Sequence, residues 1–265
     1  MHVLKRTSPA AGAFAVTLLL AALSWQQVVL FDIAGLYLEE GCPAAAPKQV
    51  LLSFDDRAHL ADWVELAPDL EAHGVRATFM LDRVTSMRAE DWANVSVLIA
   101  HGHALGLHGE HHVGATASGL SPEAWVAQEV LPSLDAMAEH GLNVEVIAMP
   151  RGDSTSSHEA ALLDVVPRVR LTAGPPRDDV TQWASGCGEG PVHAAVSLDE
   201  RRGGVDRWLP DVLDLRGEAG FGVVHAYGHG TGGEGVDVDA LLALVDDSRA
   251  AGWRWVGYDV LGAVA

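Results

Sequence analysis

The chain has 265 residues, 49% of them hydrophobic and 20% charged, a balance that supports one sizeable core and one domain of α/β-barrel size. Its formal charge of −19 lacks the basic face of a phosphate-backbone binder and argues against nucleic acid as a partner. Two cysteines, Cys42 and Cys187, are too few for a structural zinc cluster, so any metal must be held by His, Asp or Glu.

The chain opens with Lys5 and Arg6, then an apolar run from Ala10 to Leu23, then polar Ser24 to Gln27. That is the pattern of a secretory signal. Apolar character resumes over Val28–Leu38, so an uncleaved membrane anchor is the alternative. On either reading, residues 1–40 place the rest outside the cytoplasm: periplasmic, extracellular or membrane-anchored. Residues 41–48 read as a linker and 49–265 as the main domain, expected to be a monomer. In an exported protein, Cys42 and Cys187 can form one disulfide closing a long loop.

Strand and helix patterns then alternate. QVLLSFDD (49–56) is a buried strand ending in two acids, and HLADWVELAPDLEAHG (59–74) has helical apolar spacing with a glycine stop. VRATFML (75–81) is a strand, 89–102 a helix, and HALGLHG (103–109) a short strand. Ser121 caps a helix expected to run to Gly141, with Pro122 in its first turn. Strands follow at 143–150, 168–174, 191–198, 221–230 and 254–260. Helices lie at 156–166, 205–220 and 237–252, and Pro175–Gly190 is an irregular loop. Alternation of this kind implies parallel βαβ units. Seven or eight of them in about 220 residues predict a closed or nearly closed, distorted (β/α) barrel, with an open doubly wound sheet as the alternative. No Gly-x-Gly-x-x-Gly turn follows the first strand, which argues against a dinucleotide site.

Polar residues gather where a parallel barrel would open: Asp55 and Asp56 after the first strand, His108 and His112 after the third, Pro150–Asp153 after the next, and His229 after a late one. Gly102–His112 holds four of the thirteen histidines. His108 and His112 are four residues apart, which on a helical turn puts both imidazoles on one side for one metal ion. Gly109 and His111 occupy the positions where the zinc-peptidase motifs need Glu. His101, His103 and His111 are read as surface or core groups.

LLSFDD, then HGVRATFML, then GHALGLHGEHH, in this order, resemble the NodB-type polysaccharide deacetylases, carbohydrate esterase family 4. The likeness runs from Gln49 to Gly152 and more loosely to the C-terminus. It implies that Asp55 is the catalytic base and that Asp56, His108 and His112 ligate one divalent metal, zinc first, with cobalt or another ion tolerated. It further implies that His229 is the general acid, with His225 second, and that Pro150, Arg151 and Gly152 form the substrate and oxyanion turn. The implied reaction is metal-assisted removal of N-acetyl groups from a sugar polymer: peptidoglycan, a chitin-like chain or an exopolysaccharide. Another amide or ester hydrolase, or an inactive carbohydrate-binding relative, are the alternatives. The chain departs from the family pattern in having Ser53 for Thr, Arg151 for Tyr and Ala148 where an Arg can orient the base. The family's further Asp near a Trp is sought in Asp178–Trp183.

Overall fold

The computed structural model describes residues 48–173, 190–219 and 222–260, all within the compact unit Cys42–Ala265. The expectations for residues 1–40, for Cys42 and Cys187 and for Asp178–Trp183 lie outside the described residues. Among the described residues no helix is long and apolar enough to cross a membrane.

The strands are β1 (Gln49–Asp55), β2 (Thr78–Leu81), β3 (Ala104–Leu107), β4 (Val146–Ala148), β5 (Arg168–Thr172), β6 (Val192–Ser197), β7 (Val223–Gly228) and β8 (Arg254–Val256). All pair in parallel, in the order β2-β3-β4-β5-β6-β7-β1-β8, and β1 also pairs with β2. Seven strands therefore close a barrel, and β8 is a wedge. The upper half of β1, Ser53–Asp55, pairs with Thr78–Met80 of β2, whereas its lower half, Gln49–Leu51, pairs with Arg254–Val256. Every residue of β1 is buried, as its largely apolar run before the terminal acid requires, and Ser53 within it lies 3.4 Å from the Ala226 carbonyl it donates to.

Among the described residues seven helices of eight or more residues pack outside: α1 (Leu60–Ala72), α2 (Ala89–Ala100), α3 (Pro122–Glu129), α4 (Leu131–Glu139), α5 (Ser156–Leu163), α6 (Val205–Ala219) and α7 (Val238–Ala250). The single helix expected over 121–141 is thus two. Ser121 caps α3 by accepting the Ala124 N–H. The break falls at Val130, whose φ of −121° is non-helical, two residues before Pro132. Proline has no N–H to bond back into the preceding turn and its ring crowds that turn's carbonyl, so the chain restarts the helix there. The main core lies between barrel and helices and includes Phe79, with Phe54 stacked on it and Trp63 tilted against it (5.5 and 5.1 Å between centroids).

The barrel interior is unlike the branched-aliphatic filling common to such folds. Leu51, Met80, Val146, Val223 and Tyr258 occupy one side. Arg168 and Arg170 of β5, His193 of β6 and His225 of β7 are also buried. His193 and His225 stack at 4.2 Å, and His225 Nδ1 lies 2.9 Å from the Tyr258 hydroxyl. Gly106 is needed because a Cβ there would meet the Met80 sulfur at 2.3 Å.

Candidate active site

The carboxyl ends of the strands open on one cleft of about 360 Å³, lined among others by Asp55, Asp56, His108, His112, Arg151, Gly152 and His229. Its floor depends on how β1 ends. Neighbouring strand residues face opposite ways, so two adjacent acids reach one pocket only if the strand breaks between them. It does: Asp56 has φ 71°, ψ 102°, and both acids line the cleft. The Arg57 N–H donates to Asp82 Oδ1 at 2.8 Å and anchors the turn. Among the described residues, the non-glycine residues with positive φ are Asp56, Arg83, His112 and Arg151, and three of them line this cleft. Such conformations cost of order 1–3 kcal/mol and persist where the surroundings impose them.

His108 and His112 come together differently from the helical turn expected of their spacing. Residues 108–112 form a loop that reverses through left-handed Gly109 (φ 82°) and His112 (φ 57°). A Cβ at Gly109 would meet Pro150 Cγ at 2.8 Å and Glu129 Oε2 at 2.9 Å. Two buried glutamates hold this loop. Glu129 accepts the His111 N–H at 2.8 Å and faces the His111 ring at 3.0 Å, while its own carbonyl takes the Glu110 N–H. Glu110 accepts hydrogen bonds from Thr85 and Ser133. Sequence reasoning missed both glutamates in this role.

One oxygen of Asp56 and the Nε2 atoms of His108 and His112 form a triangle with sides of 3.5, 3.3 and 3.2 Å. These three residues form a candidate metal site. The donor chemistry fits a divalent ion. His108 Nδ1 lies 2.9 Å from the Ala148 carbonyl, so it carries the proton and leaves Nε2 as a lone pair. Two imidazole nitrogens and a carboxylate oxygen facing one point make up the set that zinc and similar ions take, with coordination positions left open. Burial and the neighbouring His108 hold His112 below its ordinary pKa, which favours the neutral, ligating form.

Asp55 lies beside this triangle, its Oδ2 3.8 Å from His108 Nε2. Burial pushes its carboxyl pKa up, but Arg170 lowers it, helped by His108 and His229, and the net direction is down. Arg170 is fully buried, donates from Nη2 to both Asp55 oxygens, and packs its guanidinium on the Tyr227 face at 4.6 Å. Position 148 is alanine, and a guanidinium from β5 stands against Asp55 instead.

On the other side, His229 Nε2 is 3.8 Å from Asp56 Oδ2, and Nδ1 is 2.7 Å from Asp199. Asp199 is completely buried at the end of β6 and also accepts the His229 N–H. Burial lowers the His229 pKa, the hydrogen bond to Asp199 raises it, and the net direction is up. Asp199 is thus the acid paired with the late histidine. His225 does not line the cleft; it is buried against Tyr258. Arg151 and Gly152 line the cleft, while Pro150 is buried beneath the turn. His103 is a core group, with Nδ1 accepting the Ala77 N–H, and His101 and His111 pair with Glu71 and Glu129 at the surface.

The polysaccharide deacetylase family model matches residues 43–165, the family that the motifs resemble. No functionally curated protein sequence matches the chain. Among solved structures, a mutant of the peptidoglycan deacetylase PdaC from Bacillus subtilis is 16% identical, with TM-score 0.51, covering 84% of this chain and 93% of that one. A family 4 carbohydrate esterase from Streptomyces lividans in complex with acetate is 15% identical, with TM-score 0.51, covering 80% and 93%. A family 4 pseudoenzyme from Bacillus anthracis is 17% identical, with TM-score 0.50, covering 81% and 65%. At these identities the likeness is one of fold.

Proposed function

We propose that the chain is a metal-dependent deacetylase that releases acetate from an N-acetylated sugar polymer, acting outside the cytoplasm. The observation that carries the reading is the pair of buried ionic partnerships, Asp55–Arg170 and Asp199–His229, on either side of the Asp56–His108–His112 donor triangle. Placement outside the cytoplasm rests on the signal-like first 27 residues.

Zinc, cobalt or another divalent ion held by Asp56, His108 and His112 would supply a Lewis acid that polarises the amide carbonyl and makes water acidic. The chain's own groups do the rest. Asp55, kept ionised by Arg170, takes the proton of the attacking water. His229, whose Nδ1 is held by Asp199 and whose pKa is raised, keeps a proton on Nε2 and gives it to the departing amine. The turn Pro150–Gly152 bounds the cleft where the carbonyl oxygen would develop charge.

A fold shared with a pseudoenzyme does not by itself confer activity. What favours an active enzyme here is Arg170, because an inactive relative has no use for a buried guanidinium aimed at the base. The test is acetate release from chitin oligosaccharides and peptidoglycan fragments, with and without a chelator. Release that stops with chelator and returns with zinc or cobalt is the expected result. No release from any acetylated sugar by metal-loaded protein would sink the proposal.

A further inference from the structure

The cleft is cationic in a chain that is not. Three of its twelve lining residues are arginines: Arg151 from the turn after β4, and Arg201 and Arg202 from the turn after β6. The whole chain has only 17 Lys and Arg in 265 residues, against 36 Asp and Glu. The cations are therefore concentrated here against the trend of the molecule.

The carboxylates nearby are already engaged. Asp55 is paired with Arg170, and Asp199 with His229 and, at 3.4 Å, with Arg201. Asp56 faces the two imidazoles. Among the described residues, no ion pair reaches Arg151 or Arg202, in contrast to Arg57, Arg76, Arg83 and Arg88, which each have an acid within 4.0 Å. Arg201 keeps only part of its charge satisfied: its side chain is 46% exposed and its Nη2 lies 3.2 Å from His229 Nδ1. Arg151 also holds a left-handed backbone conformation (φ 60°) that a residue with a side chain adopts at a cost.

Guanidinium is the side chain suited to carboxylate and phosphate, which it binds through two parallel N–H donors. A neutral sugar would call for amide side chains and open aromatic faces; among the described residues the lining has no Asn, Gln or Trp, and its tyrosine, Tyr227, is buried and packed against the Arg170 guanidinium. A concave cleft focuses the field of its charges. Resting on the deacetylase reading, we propose that the substrate is an acidic N-acetylated saccharide, carrying a carboxylate or phosphate on the acetylated sugar or its neighbour, and that Arg151, Arg201 and Arg202 recognise that group.

Binding and turnover can be read separately on the metal-loaded protein. Three probes serve: a neutral N-acetylglucosamine tetramer, a tetramer containing N-acetylmuramic acid, and a phosphate-monoester-bearing N-acetylglucosamine oligomer. Calorimetric titration is expected to show at least one acidic probe bound about 10-fold or more tighter than the neutral one at low salt. That preference should shrink as salt screens it, and fall about 10-fold in the double variant Arg151→Gln/Arg202→Gln. Arg202→Lys should retain part of it. Which acidic probe wins identifies carboxylate or phosphate. Equal binding of neutral and acidic probes, or a preference that survives the double variant with an unchanged melting temperature, overturns the inference. Acidic preference without acetate release would leave the inference standing and overturn the deacetylase reading. Release from the neutral tetramer without acidic preference would do the reverse.

Discussion

The two halves of the barrel contribute different chemistry. β1 to β4 and their following loops carry the candidate metal donors Asp56, His108 and His112 and the proposed base Asp55, and they lie within residues 43–165, which match the deacetylase family model. β5 to β7 lie beyond that match and carry the groups that set charge and protonation: Arg170 against Asp55, Asp199 against His229, and Arg201 and Arg202 at the mouth. The first half presents acceptors for a cation. The second half supplies the charged partners that decide which of those groups is ionised and which holds a proton. Motif matching sees the first division of labour and not the second, because metal donors must sit at fixed spacings along the chain. A charge partner need only arrive from somewhere in space.

The comparison predicts which substitutions cost metal and which cost only turnover. Asp56→Asn should have the largest effect: metal content measured after dialysis falls by at least about 10²-fold in affinity, since it removes a donor itself and loss of a mere supporting partner already costs 10–100-fold. Retention of stoichiometric metal by this variant would break the assignment of donors to the first half. Asp55→Asn should keep its metal and lose about 10²–10⁴-fold in kcat. It also leaves Arg170 buried without its counter-ion, a change that costs roughly 3–5 kcal/mol of stability. Kinetics must therefore be read well below a melting temperature that has itself dropped. If Asp55→Asn strips the metal while Asp56→Asn spares it, the two adjacent acids have exchanged roles.

Asp199→Asn tests the second half more gently. It removes the charge that holds the His229 proton, so kcat should fall by roughly 10–10²-fold with metal content unchanged. A loss of metal equal to that of Asp56→Asn would erase the distinction between the halves. The smallest effect belongs to His193, which touches neither metal nor cleft. Burial, and next the Arg168 charge, lower its pKa from 6.5 to about 4. It folds neutral, whereas the unfolded chain takes up a proton as pH falls through 6.5. Stability is therefore complete above pH 6.5 and drains away between 6.5 and about 4, by at most about 3 kcal/mol. His193→Asn should flatten the melting temperature across that window and leave acetate release at neutral pH within about twofold. A profile as steep as the parent's would place the acid sensitivity elsewhere.

Much of this was legible in the sequence, and the failures have physical causes. The alternation of elements, the acid pair ending a buried run and the glycine-rich histidine segment all reflect local geometry, which sequence encodes directly. The four-residue spacing of His108 and His112 was read as helical because that is the commonest way to align such a pair, yet two left-handed residues achieve it in a loop. Arg170 lay within RVRLTAG, read only as a strand; its signal was a pair of arginines two apart, on one face of a buried strand. Asp199 lies two residues beyond the end of β6, in VSLDER, an acid after an apolar run much as Asp55 is, and that was its signal in the sequence. Glu129 gave no local sign, since its work on the His111 loop depends on how α3 packs.

The split pairing of β1 has a consequence for the order in which the molecule is built. A ribosome delivers β1 first among the strands and Arg254–Val256 last, some two hundred residues later, yet the lower half of β1 pairs with that final strand. By the time His112 is made, all three candidate donors exist, and the sheet around them still has an open edge. Closing contacts between the ends of a long chain are slow to form, because the entropy of bringing the ends together is spent before any contact repays it. The candidate donors hang on the upper half of β1 and on β2 and β3, which pair in chain order, so the late strand secures the base of β1 rather than the donors themselves.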